Sequence, residues 1–131
     1  MRLLLDTHAL IWLLGNDRRL GRSARDAITD PANEVFVSIV SLWELTAKVR
    51  VGKLRIADVE EVFRALLVHR LHLLPLELSH LSQLIKLPKF LDHRDPFDQQ
   101  LVAQAVAENL TFVTSDRNAP RYSVQLLVCA A

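Results

Sequence analysis

Four short apolar runs constrain this chain more than anything else in it: "RLLLD" (2–6), "EVFVS" (34–38), "LHLLPLE" (71–77) and "LTFVTSD" (110–116). Between them lie stretches whose apolar residues recur at helical spacing. Strands joined through helices require crossover connections, which are right-handed and place the strands parallel. Near-continuous apolar strands, rather than alternating ones, indicate a sheet covered on both faces. The pattern therefore predicts an α/β fold with a short, mainly parallel sheet and helices on either side. A helix is predicted over 7–14, with Thr7 at its start and Gly15 at its stop, and a second over 23–30, ending before Pro31. The third, "IVSLWELTAKVRV", is capped by Ser38 and stopped by Gly52. The fourth starts after Asp58 and carries an apolar stripe at 59, 62, 63, 66 and 67; the fifth lies around 79–87. The sixth runs from about Pro96 to Glu108, and "SVQLL" (123–127) is a candidate fifth strand.

Composition narrows the function classes. At 131 residues, the chain is expected to form one domain over 1–131 around a single core. Half the residues are hydrophobic and 24% are charged, the balance of a soluble globular protein. A formal net charge of +1 supplies no global field, so any nucleic-acid contact must come from a local patch. Three glycines are too few for a glycine-rich phosphate loop. The lone Cys129 permits neither an intrachain disulfide nor a cysteine metal cluster, which suits a reducing cytoplasm. Asp6 and His8 interrupt the apolar N-terminus, so it reads as strand and helix rather than as a signal segment. No uninterrupted apolar run reaches roughly 18 residues, so no membrane span is expected.

The chemistry concentrates in acids. Ligands of open α/β sheets bind outside the carboxyl ends of the strands, and Asp6 and Asp116 each follow an apolar strand directly. Either could be an ordinary turn residue. Glu44 stands among Leu42, Trp43 and Leu45, on a helix that is apolar on nearly every side. A carboxylate there needs a partner, either Lys48 four residues on or a metal. In "HRDPFDQQLVAQA", Asp95 suits the N-cap and Pro96 the first helical position, and both acids favour the positive end of the helix dipole. Asp98 shares a stripe with Leu101, Val102 and Ala105, so it lies at the top of the core-facing side. Carboxylates gathered at one edge repel each other without a cation, and hard oxygen donors suit Mg²⁺ or Mn²⁺. Such a site can activate water for phosphodiester hydrolysis, with either one or two ions. Thr7 and Ser115 flank two of the acids and are candidates to position water or a carboxylate. Lys48, Arg94 and Arg117, with Arg50 and Arg121, are candidate backbone contacts for RNA, although each could be a simple solvated charge. His8 and His93 have no ligand spacing to another histidine and are not expected to bind metal. Trp12, Trp43 and Phe97 are expected mainly in the core.

The blocks "LLLDTHALIWLL", "VSIVSLWELTAKVRVGKL", "HRDPFDQQLVAQA" and "LTFVTSDRNAPRY", in this order over almost the whole chain, resemble the PIN-domain ribonucleases, in particular the VapC-type toxins of toxin–antitoxin pairs. The resemblance implies a three-layer α/β PIN-like fold and an Mg²⁺- or Mn²⁺-dependent endoribonuclease that hydrolyses RNA with a metal-activated water. It places the acidic constellation on Asp6, Glu44, Asp98 and Asp116. It also implies a homodimer and inhibition by a cognate antitoxin. This chain departs from its relatives in carrying Gln99 where a basic residue often follows "DPFD", and in placing Pro120 after Asp116.

Three other readings compete. A phosphoacceptor receiver domain needs adjacent acids after its first strand and a late lysine, whereas "LLLDTHA" has one acid and no lysine follows Lys89. An aspartyl-phosphate phosphatase needs a second acid two residues after the first, and His8 stands there. A PIN-like binding domain whose nuclease activity has lapsed is opposed by the presence of all four acids.

Overall fold

The computed structural model describes residues 1–56 and 58–129. Its strands are β1 (Arg2–Leu5), β2 (Glu34–Ser38), β3 (His72–Leu74), β4 (Thr111–Thr114) and β5 (Leu126–Val128). They form one sheet in the order β3-β2-β1-β4-β5, and every pairing in it is parallel. The helices are α1 (Thr7–Leu14), α2 (Arg22–Thr29), α3 (Ile39–Arg50), α4 (Val59–Val68), α5 (Leu78–Lys86) and α6 (Pro96–Ala107). The predicted strand over 71–77 is shorter than expected, because Pro75 has no N–H with which to continue the ladder. "SVQLL" is displaced by a few residues, the fifth strand starting at Leu126.

β1 is central and has no solvent-facing side: Leu3, Leu4 and Leu5 are fully buried. Successive residues of a strand point to opposite faces, and here they divide the core in two. Leu3 and Leu5 join Ala9, Leu10 and Leu13 of α1, Ala24 and Ile28 of α2 and Leu66 of α4. Leu4 joins Leu101, Val102 and Ala105 of α6 and Leu110, Phe112 and Tyr122. The result is the expected three-layer arrangement, helices–sheet–helices.

The helix ends show how local chemistry sets the frame. Gly52, in the left-handed region at φ +79°, ends α3 as predicted. At the end of α1 the left-handed residue is Asn16, at φ 50°, and Gly15 keeps a negative φ as the last half-helical residue. The start of α1 is as expected, Thr7 being the first helical residue, and Asp6 is the N-cap, its side chain accepting from the Ala9 N–H. Ser38 caps α3 and Asp58 caps α4 as predicted. Leu67 of the predicted apolar stripe is 80% exposed, although the adjacent Leu66 is buried in the core.

A buried polar belt ties the α6 layer to the sheet edge. Gln104, fully buried, accepts a hydrogen bond from the Ser38 hydroxyl and donates to the Pro75 carbonyl and to His80 Nδ1. His80 Nδ1 also accepts from the Glu77 N–H, so its proton sits on Nε2 and is donated to Glu108 at 2.8 Å. Gln104→Leu keeps the volume but strands the Ser38 hydroxyl and the Pro75 carbonyl. The expected loss is about 2 kcal/mol of stability, read by urea denaturation. A change under about 0.5 kcal/mol, the usual scatter of surface substitutions, would show that water replaces the amide.

Candidate metal and catalytic site

β1 runs in register with β2 and β4, Leu5 lying opposite Val37 and Val113. The next residue of each strand therefore reaches one edge together: Asp6, Ser38 and Thr114. The Asp6 side chain is bound twice, Oδ1 by the Ala9 N–H at 2.7 Å and Oδ2 by the Thr114 hydroxyl at 2.6 Å. Burial raises its pKa above the usual carboxylate value, and these hydrogen bonds oppose the shift. Thr114 reaches a second acid, because its hydroxyl oxygen accepts from the Asp116 N–H at 3.0 Å. Asp116 Oδ1 in turn accepts from the Asn118 N–H, so the ordinary turn role is real and leaves Oδ2 to face the cleft.

Glu44 enters from α3, which packs against both α1 and α6. It is 2% exposed and engaged on both oxygens, with the Thr7 hydroxyl on Oε1 and the Lys48 ammonium on Oε2 at 2.7 Å. The ion pair anticipated at i to i+4 is thus present. Thr7 positions a carboxylate, one of the two roles expected of it. Lys48, a candidate RNA contact, spends its charge on Glu44, which raises its pKa.

Asp95 caps α6 through Oδ1, which accepts from the Phe97 and Asp98 N–H groups at 2.9 and 3.3 Å. Asp98, half-buried at the third helical position, has its pKa pushed up to about 7. Burial is the largest cause, followed by the negative charges of Asp95, Glu44, Asp116 and Asp6. The four predicted acids are thus close enough to act on one another. Asp95, read from the sequence as a cap, also stands beside Glu44 and Asp98: the three offer oxygens within 4.8 Å of each other.

His93, not expected from the sequence to bind metal, stands among the acids. It is 6% exposed and lies between Asp98 and Asp116, Nε2 being 3.8 Å and 3.5 Å from their Oδ2 atoms. Its position two residues ahead of Asp95 was the available signal. Spacing between histidines carries no information about it, because its neighbours here are carboxylates. Asp6, His8, His93, Asp98, Ser115 and Asp116 line a cleft of about 300 Å³. Ser115, the other candidate positioning hydroxyl, is half-buried on its wall, whereas Thr114 makes the contacts to the acids. Arg94 and Arg117 are exposed near this mouth, and Arg121 is held by Asp92 and Asn118. Trp43 is 62% exposed, contrary to expectation, and meets Phe97 edge-on at 4.9 Å.

The donor set fits a divalent cation. The surrounding carboxylates help to raise the pKa of Asp98, and among the buried polar atoms of the described residues His93 Nε2 has no hydrogen-bond partner. Both are signs of a charge deficit that a cation would fill.

The PIN domain family model matches residues 3–125, and the chain belongs to this family. Solved structures share the fold at low identity. A chain of VapBC2 from Rickettsia felis, bound to a promoter DNA fragment, is 18% identical with a TM-score of 0.71, over 97% of this chain and 98% of that one. DNA-bound VapBC from Salmonella typhimurium is 17% identical with a TM-score of 0.68, over 97% of each chain. A toxin–antitoxin complex from Klebsiella pneumoniae is 17% identical with a TM-score of 0.63, over 96% of each. No curated protein sequence matches the chain. Among the described residues, no helix is long and apolar enough to cross a membrane.

The Asp98 shift makes stability depend on pH. Between the ordinary value of 3.8 and about 7, the folded state holds a proton that the unfolded chain has released. Stability of the ion-free protein therefore falls as pH rises through that window, and Asp6, also raised, adds in the same direction. In EDTA, the melting temperature is expected to decline as pH rises from about 4 to about 7, and Asp98→Asn should flatten the slope. A slope unchanged in Asp98→Asn would place the titration elsewhere.

Proposed function

We propose that the chain folds as one PIN domain and is a divalent-metal-dependent endoribonuclease, the toxin of a cytoplasmic toxin–antitoxin pair. The observation that carries the reading is the convergence of Asp6, Glu44, Asp98 and Asp116 from four separate elements on one sheet edge. Family membership supports a nuclease. The likeness to VapBC structures and to a toxin–antitoxin complex supports the biological role.

In this reading Asp6, Glu44 and Asp98 hold Mg²⁺ or Mn²⁺, with Asp116 a ligand directly or through water. When bound, the ion supplies Lewis-acid activation of water and neutralises charge on the phosphodiester. The protein groups do the rest. Thr114 and the Ala9 N–H fix Asp6, Thr7 and Lys48 fix Glu44, and the Asp95 cap fixes the helix turn that carries Asp98. A carboxylate at the rim, Asp98 or Asp116, accepts the proton of the attacking water. Arg94 and Arg117 lie outside, where an RNA backbone would pass. Because water rather than the ribose 2′-hydroxyl attacks, the products carry a 5′-phosphate and a 3′-hydroxyl.

Exposed apolar surface supports protein partners. An apolar groove of about 600 Å³ is lined by Leu42, Trp43, Phe63, Leu66 and Leu67, and suits an antitoxin segment. On α5, Leu78, Leu81 and Ile85 form an exposed stripe at helical spacing that suits a second copy of the chain.

The test incubates purified protein with RNA and Mg²⁺ or Mn²⁺. Cleavage is expected to stop with EDTA, with Asp6→Asn and with Asp98→Asn. Asp95→Asn retains the capping oxygen and should cost no more than roughly tenfold, the low end for groups outside a ligand set. Cleavage that survives EDTA, or ends in a 2′,3′-cyclic phosphate, would overturn the mechanism. Folded protein that binds RNA and leaves it intact under all these conditions would favour a lapsed nuclease.

A further inference from the structure

His93 is held by every polar group it owns except one. Its N–H donates to the Phe90 carbonyl at 3.2 Å, and its carbonyl accepts from the Gln99 side chain at 2.8 Å. Its ring Nδ1 meets the Tyr122 hydroxyl at 2.7 Å, and Tyr122 is itself buried. Gln99 thus has a task at the position where relatives often carry a basic residue: it pins the loop that presents the imidazole. What remains is Nε2, buried, without a hydrogen-bond partner and aimed between two carboxylates.

The separations discriminate between the roles open to such a ring. At 3.5 and 3.8 Å from the Asp116 and Asp98 oxygens, Nε2 is too far for a good N–H···O bond, whose usual range ends near 3.2 Å. Two donors that each stand about 2.1 Å from one cation lie roughly 3.0 to 4.2 Å apart, depending on the angle between them. Both observed separations fall within that range. With Nδ1–H donated to the Tyr122 oxygen, Nε2 offers a lone pair, and the second nitrogen of a ligating histidine is usually fixed in this manner.

We propose that His93, Asp98 and Asp116 form a cation seat of their own beside Glu44, with His93 Nε2 as a nitrogen ligand. The seat takes a divalent transition-metal ion such as Mn²⁺ in preference to Mg²⁺. The preference follows from donor type, since Mg²⁺ favours all-oxygen sets and first-row transition ions accept imidazole. The inference rests on the metal-dependent reading above but is separable from it.

The experiment adds Mn²⁺ alone to the purified full chain and records electron spin-echo modulation, with titrations of Mn²⁺ and Mg²⁺ by calorimetry. Wild-type protein is expected to show ¹⁴N coupling to the bound ion, replaced by ¹⁵N coupling after labelling of histidine. His93→Ala should lose the coupling and bind Mn²⁺ at least roughly tenfold more weakly, with Mg²⁺ binding little changed. His93→Gln preserves polarity and bulk, and an equal loss in it, at unchanged melting temperature, guards against a folding artefact. Mn²⁺ that binds without nitrogen coupling overturns this seat while leaving the carboxylate site intact. Tighter Mn²⁺ binding in His93→Ala also overturns it, since the ring would then act as an imidazolium counter-charge. Absence of Mn²⁺ binding to the wild type refutes both this inference and the metal-dependent reading.

Discussion

The Asp6 carboxylate is the joint on which the site depends. It stands where the central strand ends and α1 begins, it caps that helix, and it takes the hydroxyl of Thr114 from the adjacent strand. A carboxylate this buried is costly, and two directed donors offset much of the cost without neutralising the charge. The charge then adds to those of Asp98 and Asp116 on the cleft wall and to that of the buried Glu44 behind it. Because β1 is enclosed on both faces by leucines, the joint has no freedom to move away from its neighbours. Repulsion among the acids is therefore built into the packed fold and cannot relax by a side-chain swing.

Structural and chemical roles coincide here more than they compete. The pair of Glu44 with Lys48 is the ion pair that helical spacing suggests, and the Thr7 hydroxyl fixes the other oxygen of the same carboxylate. Asp116 is a turn residue through one oxygen and a cleft residue through the other. Asp95 caps α6 while its charge helps to raise the pKa of Asp98. A carboxylate has two oxygens and several lone pairs, so a cap or a turn bond consumes only part of its capacity.

This overlap explains what could be read from the sequence. The four strands, the six helices, their order and the parallel sheet follow from apolar periodicity and caps, which are local signals. Asp6, Glu44, Asp98 and Asp116 were legible because strand ends and a buried helix face fix where a side chain points. His93 was not, since its place depends on a loop pinned by Gln99 and Tyr122, contacts six and 29 residues away. The sequence points to Ser115 rather than Thr114 for a related reason: the hydroxyl that serves Asp6 is set by strand register rather than by adjacency to Asp116. Trp43 and Leu67 are apolar and exposed, a condition that periodicity alone cannot separate from burial.

The polar belt below the cleft completes the physical account. Asp98 owes its position to α6, and α6 is fixed by more than apolar packing: Gln100 donates to the His80 carbonyl, and Gln104 joins Ser38, Pro75 and His80. Apolar contacts tolerate small slides, whereas directed hydrogen bonds between buried partners select one axial and rotational setting of the helix. Ser38 belongs to this belt and also caps α3, the helix that carries Glu44. A single hydroxyl at the end of β2 thereby couples the helices of two acids to each other and to the strand beside Asp6. The spacing of donors around the cleft is in this sense a property of the buried amides and hydroxyls beneath it. The carboxylates supply charge, and the belt supplies the geometry in which that charge can hold a cation.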